Sequence, residues 1–171
     1  MQKAIFLDRD GVINHDFGYV HQWNDFKIYE DVFELLKSAR KYDFMPIIIT
    51  NQSGIARGLY SERQFHKLME QFNTLLKNIN IPAISYFFCP HSPDTTPRCD
   101  CRKPEIGMIN QAQRKFNISL QESMLVGDQV SDINAGINSG IPNLYFIDRQ
   151  GLGRRFTGSK TINSLLEIRL Y

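Results

Sequence analysis

The run Lys3-Ala4-Ile5-Phe6-Leu7 is short and apolar, and it stops abruptly at Asp8-Arg9-Asp10-Gly11. A continuous apolar run of this length reads as a fully buried strand. The two acids at its end then need a reason, because unpaired charge beside a core is expensive. In open α/β sheets the carboxyl ends of the strands form the ligand crevice. Asp8 and Asp10 would stand there, with Gly11 letting the chain turn sharply beyond them. Taken alone, the same residues also fit an ordinary polar strand end, so the later segments decide.

Those segments repeat the theme. Asp31 reads as an N-cap, and Val32, Leu35, Leu36 and Ala39 follow at the spacing of an amphipathic helix. Met45–Ile49 is a second buried strand that closes in Thr50-Asn51-Gln52-Ser53-Gly54. Ser61 and Gln64 form a capping-box pair ahead of a long helix whose stripe of Phe65, Leu68, Met69, Phe72, Leu75 and Leu76 is core packing. Ile84–Phe88 is a third strand running into Cys89. Pro104 opens a helix carrying Ile106, Ile109, Ala112 and Phe116, and Ser119 with Glu122 reads as a further cap. Ser123–Val126 is a fourth strand ending in Gly127-Asp128, Ile133 and Ile137 mark a short helix closed by Gly140, and Asn143–Ile147 is a fifth strand. The segment Asn14–Tyr29 has no sustained period and reads either as an ordered loop over the site or as a surface connector. Gly151–Gly158 reads as a loose tail and Leu165–Leu170 as a last helix. Strands alternating with helices imply an α/β domain with a mainly parallel sheet covered on both faces. No repeat or linker marks a second domain in the 171 residues.

Composition excludes several classes. No apolar run approaches the roughly 18 residues of a membrane span, and the N-terminus has no signal-peptide core, so a cytoplasmic location and no membrane partner are expected. A net charge of +2 without a dense Lys/Arg tract argues against nucleic acid as a partner. No strongly apolar surface helix stands out, so a monomer is expected.

Parallel strands deliver their C-terminal ends to one edge. Asp8, Asp10, Thr50 and Asp128 should therefore converge, with Arg102-Lys103-Pro104 arriving from the segment after the third strand. Carboxylates gathered this way repel one another unless a cation sits between them, and an all-oxygen site suits Mg²⁺ better than a soft metal. A hydroxyl and a lysine beside Mg²⁺ make a receptor for a phosphoryl group.

All three cysteines lie between Cys89 and Cys101, which is a poor disulfide framework. Cys89, His91, Cys99 and Cys101 instead offer three thiolates and an imidazole, the ligand set of a closed structural Zn²⁺ site. The loop between them has little to pack and would need such a staple to be ordered. Free cysteines beside an unrelated histidine are the alternative. His15, His21 and His66 have no such partners.

The order D-x-D-G, T-N, K-P and G-D-x-x-x-D resembles the haloacid dehalogenase superfamily of phosphotransferases, with all four of its motifs present. The resemblance implies a Rossmann-like three-layer α/β sandwich without a large cap. It implies that Asp8 is the nucleophile forming an aspartyl-phosphate. Asp10 would be general acid and then base, and Thr50 and Lys103 would hold the phosphoryl oxygens. Asp128 would bind Mg²⁺ with Asp8 and the Asp10 carbonyl, and Asp132 would be a supporting or helix-capping acid. The stretches C-x-H…C-x-C-R-K-P, T-N-Q-S-G-I-A-R-G and Asp16-Phe17-Gly18-Tyr19-Val20-His21 resemble the bacterial D-glycero-D-manno-heptose 1,7-bisphosphate 7-phosphatases, from Lys3 to about Ile147. That implies a small phosphorylated sugar as substrate and a role in lipopolysaccharide precursor synthesis. It also implies substrate contacts at Asp16, Phe17, Gly18, Tyr19, Asn51, Gln52, Ser53, Arg102 and Gln129. Two features depart from the pattern. The spacer between the zinc ligand pairs is short, nearer to the related histidinol-phosphate phosphatases, and Gln129 stands where a lysine is common. Histidinol-phosphate phosphatase, nucleic-acid 3′-phosphatase and a non-catalytic zinc-stabilised module remain the alternatives.

Overall fold

The computed structural model describes residues 1–171. Six strands, β1 (Lys3–Leu7), β2 (Phe44–Asn51), β3 (Ser85–Cys89), β4 (Met124–Gly127), β5 (Asn143–Ile147) and β6 (Lys160–Ile162), form one sheet in the order β3-β2-β1-β4-β5-β6. Every neighbouring pair is parallel. Four helices cover it: α1 (Glu30–Lys41), α2 (Glu62–Asn78), α3 (Gly107–Phe116) and α4 (Val130–Ser139).

The two-residue period of the strands splits the core. Ile5 and Leu7 of β1 pack with Leu35 and Leu36 of α1 and with Phe65 and Leu68 of α2. Ala4 and Phe6 point the other way, into a layer with Ile109 and Ala112 of α3 and Ile133 and Ala135 of α4. Helices on both faces make β1 a fully buried strand, which is why it reads as a continuous apolar run. The strand order reverses beside β1, between β2 on one side and β4 on the other, and such a switch point is where an open α/β sheet leaves a crevice.

Residues 8–29, 52–61 and 90–106 connect β1, β2 and β3 to the helices that follow them. The only regular structure within these segments is a 3₁₀ turn at Trp23–Asp25, so no large cap covers the sheet edge. No helix is long and apolar enough to cross a membrane.

Several local expectations change. Asp31 is not the N-cap of α1: Tyr29 holds that position without a side-chain bond, and Asp31 lies in the first turn. Its carboxylate is taken by the C-terminal segment, accepting from the Ser164 hydroxyl (2.7 Å), the Leu165 N–H (2.8 Å) and Arg149 Nη1. Pro104 does not open α3, which begins at Gly107 behind an Ile106 cap. The Ser119 side chain caps nothing, although its residue does precede a 3₁₀ turn, Leu120–Glu122. The last helix is only a 3₁₀ turn, Leu165–Glu167, opened by the Ser164 N-cap. Beyond it Ile168 and Leu170 are buried at a spacing of two, an extended rather than a helical pattern. The residues of 151–158 are irregular yet anchored, with the Arg154 N–H and Nε donating to buried Asp148 and Phe156 packed on the core. They lead into β6, a strand the sequence does not announce.

Candidate active site

Asp8 follows β1 directly, and its N–H continues the ladder to the Val126 carbonyl of β4 at 3.0 Å. Its carboxylate meets Lys103, which is 4% exposed. Lys103 Nζ donates to Asp8 Oδ1 (2.6 Å) and to the Ile49 carbonyl (2.7 Å), and it lies 2.7 Å from Asp132 Oδ1. Three acceptors use all three ammonium protons. Desolvation opposes that charge, but the two carboxylates hold the Lys103 pKa above its ordinary value. Burial pushes Asp8 well above the usual carboxylate range, against the pull of Lys103, with Asp132 and Asp128 adding to the rise.

Lys103 is aimed by its backbone. Asn51, the last residue of β2, accepts from the Lys103 N–H (3.1 Å) and donates to the Lys103 carbonyl (3.2 Å). A single amide thus binds a residue 52 positions away at both ends. Gln52, 2% exposed, works similarly. Its Nε2 donates to Asp10 Oδ2 (3.0 Å) and Thr50 Oγ1 (2.8 Å), while its Oε1 accepts from the Tyr60 hydroxyl. Burial pushes the Tyr60 pKa up to about 12, so that hydroxyl keeps its proton and stays a donor.

Asp10 is gripped from three sides. Besides Gln52, Asn14 Nδ2 donates to its Oδ1 (3.0 Å), and Arg9 presents Nε (3.1 Å) and Nη2 (2.8 Å). Its carboxylate lies outside the cluster formed by Asp8, Asp128 and Asp132, whose nearest oxygens are all within 4.8 Å of one another. Asp128 Oδ1 is buried with no partner, while Oδ2 accepts from Gln129 Nε2 at 2.9 Å. Desolvation, reinforced by Asp132, raises Asp128 to about 6. Three carboxylates facing one lysine leave two negative charges, which a divalent cation would balance, and the donors are all oxygen. The residues therefore fit Mg²⁺. Glycines make the room: a Cβ on Gly11 would stand 2.4 Å from Asp128 Oδ2, and one on Gly127 would stand 2.1 Å from the Asp132 Cβ.

These groups line an open cleft of about 480 Å³. Asp16, Gly18, Tyr19, Thr50, Asn51, Gln52, Ser53, Arg102 and Gln129 also reach it, joined by Tyr60, Val130 and Ser131. Phe17 does not line it: the ring is 64% exposed and stacks on His15. Asp16 Oδ1 accepts from the Gly18 N–H (2.9 Å), holding a turn in which Gly18 and Tyr19 both take positive φ. Arg9, Asn14 and Tyr60 are additions that the motifs did not single out. An arginine between two acids, followed four residues later by an asparagine, was the available signal. A larger concavity of about 660 Å³, lined by residues of 148–163, contains none of these residues.

Cys89, His91, Cys99 and Cys101 form a second cluster, their ligand atoms all within 4.8 Å. The sulfurs are 2.9 to 3.6 Å apart, and His91 Nδ1 lies 3.5 Å from Cys89 Sγ and 3.2 Å from Cys101 Sγ. Zinc–sulfur bonds of about 2.3 Å put tetrahedral ligands about 3.8 Å apart, so the four need only a slight expansion to fit Zn²⁺. Arg102 then ties the cluster to the cleft, donating from Nη1 to the His91 carbonyl (3.2 Å).

Residues 4–146 match the family model described as polynucleotide kinase 3 phosphatase. A D-glycero-alpha-D-manno-heptose-1,7-bisphosphate 7-phosphatase of Photorhabdus laumondii subsp. laumondii is 44% identical over 150 residues, spanning 85% of this chain and 82% of its own. A D-glycero-beta-D-manno-heptose-1,7-bisphosphate 7-phosphatase of Haemophilus ducreyi is 38% identical over 176 residues, 98% of this chain and 96% of its own. Among solved structures, the D,D-heptose 1,7-bisphosphate phosphatase of B. bronchiseptica, complexed with magnesium and phosphate, superposes with a TM-score of 0.84 at 28% identity. That match covers 95% of this chain and 93% of the other. The parallel sheet, the acids at its switch point and these relatives agree, and the chain, a phosphomonoesterase of the haloacid dehalogenase superfamily, belongs to its heptose-1,7-bisphosphate 7-phosphatase family.

Proposed function

We propose that this protein removes the 7-phosphate of D-glycero-D-manno-heptose 1,7-bisphosphate through an aspartyl-phosphate on Asp8. The observation that carries the reading is the buried Lys103–Asp8 pair at the switch point, beside an Asp128 oxygen left without a partner. An Asp8 oxygen attacks phosphorus as the bond to the sugar O7 breaks. Asp10, on the cleft side, gives its proton to the departing alkoxide. It then takes one from the water that cleaves the aspartyl-phosphate. Lys103 and the Thr50 hydroxyl hold phosphoryl oxygens. Asp8, Asp128 and the Asp10 carbonyl would hold Mg²⁺, which supplies charge neutralisation at those oxygens when bound. Asp16, Gly18, Tyr19, Ser53, Arg102 and Gln129 receive the sugar and its second phosphate, while Asn51 and Gln52 brace the residues that do the chemistry. Cys89, His91, Cys99 and Cys101 hold a structural Zn²⁺ that fixes the loop carrying Arg102 and Lys103. Thiolate ligands of this kind suit a reducing compartment such as the cytoplasm.

A cleft in which Arg102 and Lys103 are the only cations suits a small sugar bisphosphate better than a nucleic-acid strand. The matched family model's description keeps 3′-phosphorylated nucleic acid as a second reading. The test compares kcat/KM for the two heptose 1,7-bisphosphate anomers, histidinol phosphate and a 3′-phosphorylated oligonucleotide. A heptose anomer is expected to lead. A lead by histidinol phosphate or by the oligonucleotide would overturn the substrate assignment while leaving Asp8 chemistry in place.

A further inference from the structure

Arg9 is buried beside the cleft and does not line it. It is 0% exposed. Its guanidinium lies 5.5 Å from the Phe65 ring centroid and 5.8 Å from that of Phe26, within cation–π range of both. Nε and Nη2 grip the Asp10 carboxylate along one edge, and Nη2 also donates to the Val20 carbonyl at 2.6 Å. Val20 is the residue after Tyr19, so one guanidinium holds both the foot of the Asp16–Tyr19 turn and the acid at the reacting bond. The Arg9 carbonyl accepts from the N–H groups of Ile13 (2.8 Å) and Asn14 (3.1 Å), which sets the chain that carries Asn14 back to Asp10.

A buried guanidinium is retained at such a place when its planar fork does something a smaller group cannot. Asp10 is about one-fifth exposed and lines the cleft. With Arg9 and Gln52 on Oδ2, and Arg9 and Asn14 on Oδ1, the carboxyl plane cannot rotate. We propose that Arg9 is the positioning residue for leaving-group protonation, locking Asp10 toward the departing oxygen and coupling that orientation to the docked Asp16–Tyr19 turn. The inference rests on the assignment of Asp10 as general acid. In the step concerned the phosphorus–oxygen bond to the leaving group breaks, a bond from Asp8 to phosphorus forms, and the Asp10 proton passes to the leaving oxygen.

Phenyl phosphate and 4-nitrophenyl phosphate have nearly the same shape. Phenolate is much the more basic leaving group and needs the proton, whereas 4-nitrophenolate departs as an anion. kcat/KM reports the steps through the first departure, so it isolates the proton transfer to the leaving group. Arg9→Met is expected to lower kcat/KM for phenyl phosphate by ~10²-fold, the low end of what general acid catalysis contributes, and for 4-nitrophenyl phosphate by under ~10-fold. Arg9→Lys keeps the charge but loses the fork. It should show an intermediate difference, and it supplies the comparison if the Met variant does not fold. Asp10→Asn is measured alongside. If Asp10→Asn shows the leaving-group difference and a folded Arg9 variant lowers both substrates equally, Arg9 is structural only and the inference is overturned. If Asp10→Asn shows no difference, the general-acid assignment itself fails, and the inference with it.

Discussion

Lys103 concentrates the electrostatic problem of the site in one atom. Its ammonium sits between two buried carboxylates and one carbonyl, with no proton left unpaired. Replacing it with methionine would leave Asp8 and Asp132 facing each other without a cation. Breaking a buried pair in this way costs about 3–5 kcal/mol. Lys103→Met should therefore lose turnover and also shift the urea unfolding midpoint downward, whereas a lysine that only touched substrate would leave the midpoint unchanged. Asn51 offers a gentler version of the same test. Asn51→Ala removes two hydrogen bonds to the Lys103 backbone, worth about 1 kcal/mol each. A fall in kcat/KM of roughly tenfold is expected with the fold intact, and normal activity would show that the Lys103 loop holds itself.

At the scale of elements, the turn after β1 is fitted to the turn after β4. Gly11 has φ +84°, and the space where its Cβ would be belongs to Asp128. Gly11→Ala should weaken Mg²⁺ activation about tenfold or more, with a φ penalty of about 1–2 kcal/mol. Gly58→Ala is the control, because Gly58 also has positive φ (71°) but has nothing within 4 Å. If both variants need the same Mg²⁺ concentration as the parent, the packing against Asp128 is not functional. Between β3 and α3, the loop that leads to Lys103 is gathered around Cys89, His91, Cys99 and Cys101. Protein purified without added metal should contain about one equivalent of zinc. Stripping it with a chelator should abolish activity that Mg²⁺ alone does not restore, because the loop that delivers Lys103 loses its staple. The end of β1 was legible in the sequence because a buried strand of a parallel sheet is a continuous apolar run, whereas β2 continues past its apolar run through Thr50 to Asn51. The grouping of Cys89, His91, Cys99 and Cys101 was legible because the C-x-H and C-x-C pairs lie close in the chain, and their side-chain donor atoms do come within 4.8 Å of one another. The bracing roles of Asn51 and Gln52 were not, since an amide's residue type does not say which way it points. β6 was hidden for a related reason: it is a three-residue edge strand, too short to show a period.

Across the whole molecule, the C-terminal segment closes back on the catalytic end through Asp31. Arg149, just after β5, donates to Asp31 and, through Nη2, to the Val12 carbonyl at 2.7 Å, and its guanidinium lies 3.9 Å from the Tyr29 ring centroid. Ser164 and Leu165 close the same carboxylate from the far end of the chain. Burial acts to raise the Asp31 pKa, but the bonds from Arg149, Ser164 and Leu165 outweigh it and hold the carboxyl below its ordinary 3.8. A group whose folded pKa is depressed adds stability above its unfolded value and loses it as pH falls through the folded one. Asp31→Asn, which cannot ionise, should therefore be less stable than the parent by about 2 kcal/mol at pH 7, the scale of hydrogen bonds to a charged group. The gap should be unchanged at pH 5 and should narrow below about pH 3.8 as the parent's Asp31 takes up a proton. Urea midpoints of the two proteins at pH 7, 5 and 3 would measure it, the difference cancelling the other carboxylates. A gap that persists undiminished at pH 3 would mean that shape, not the charge of Asp31, joins the C-terminal segment to α1 and to the loop behind Asp10.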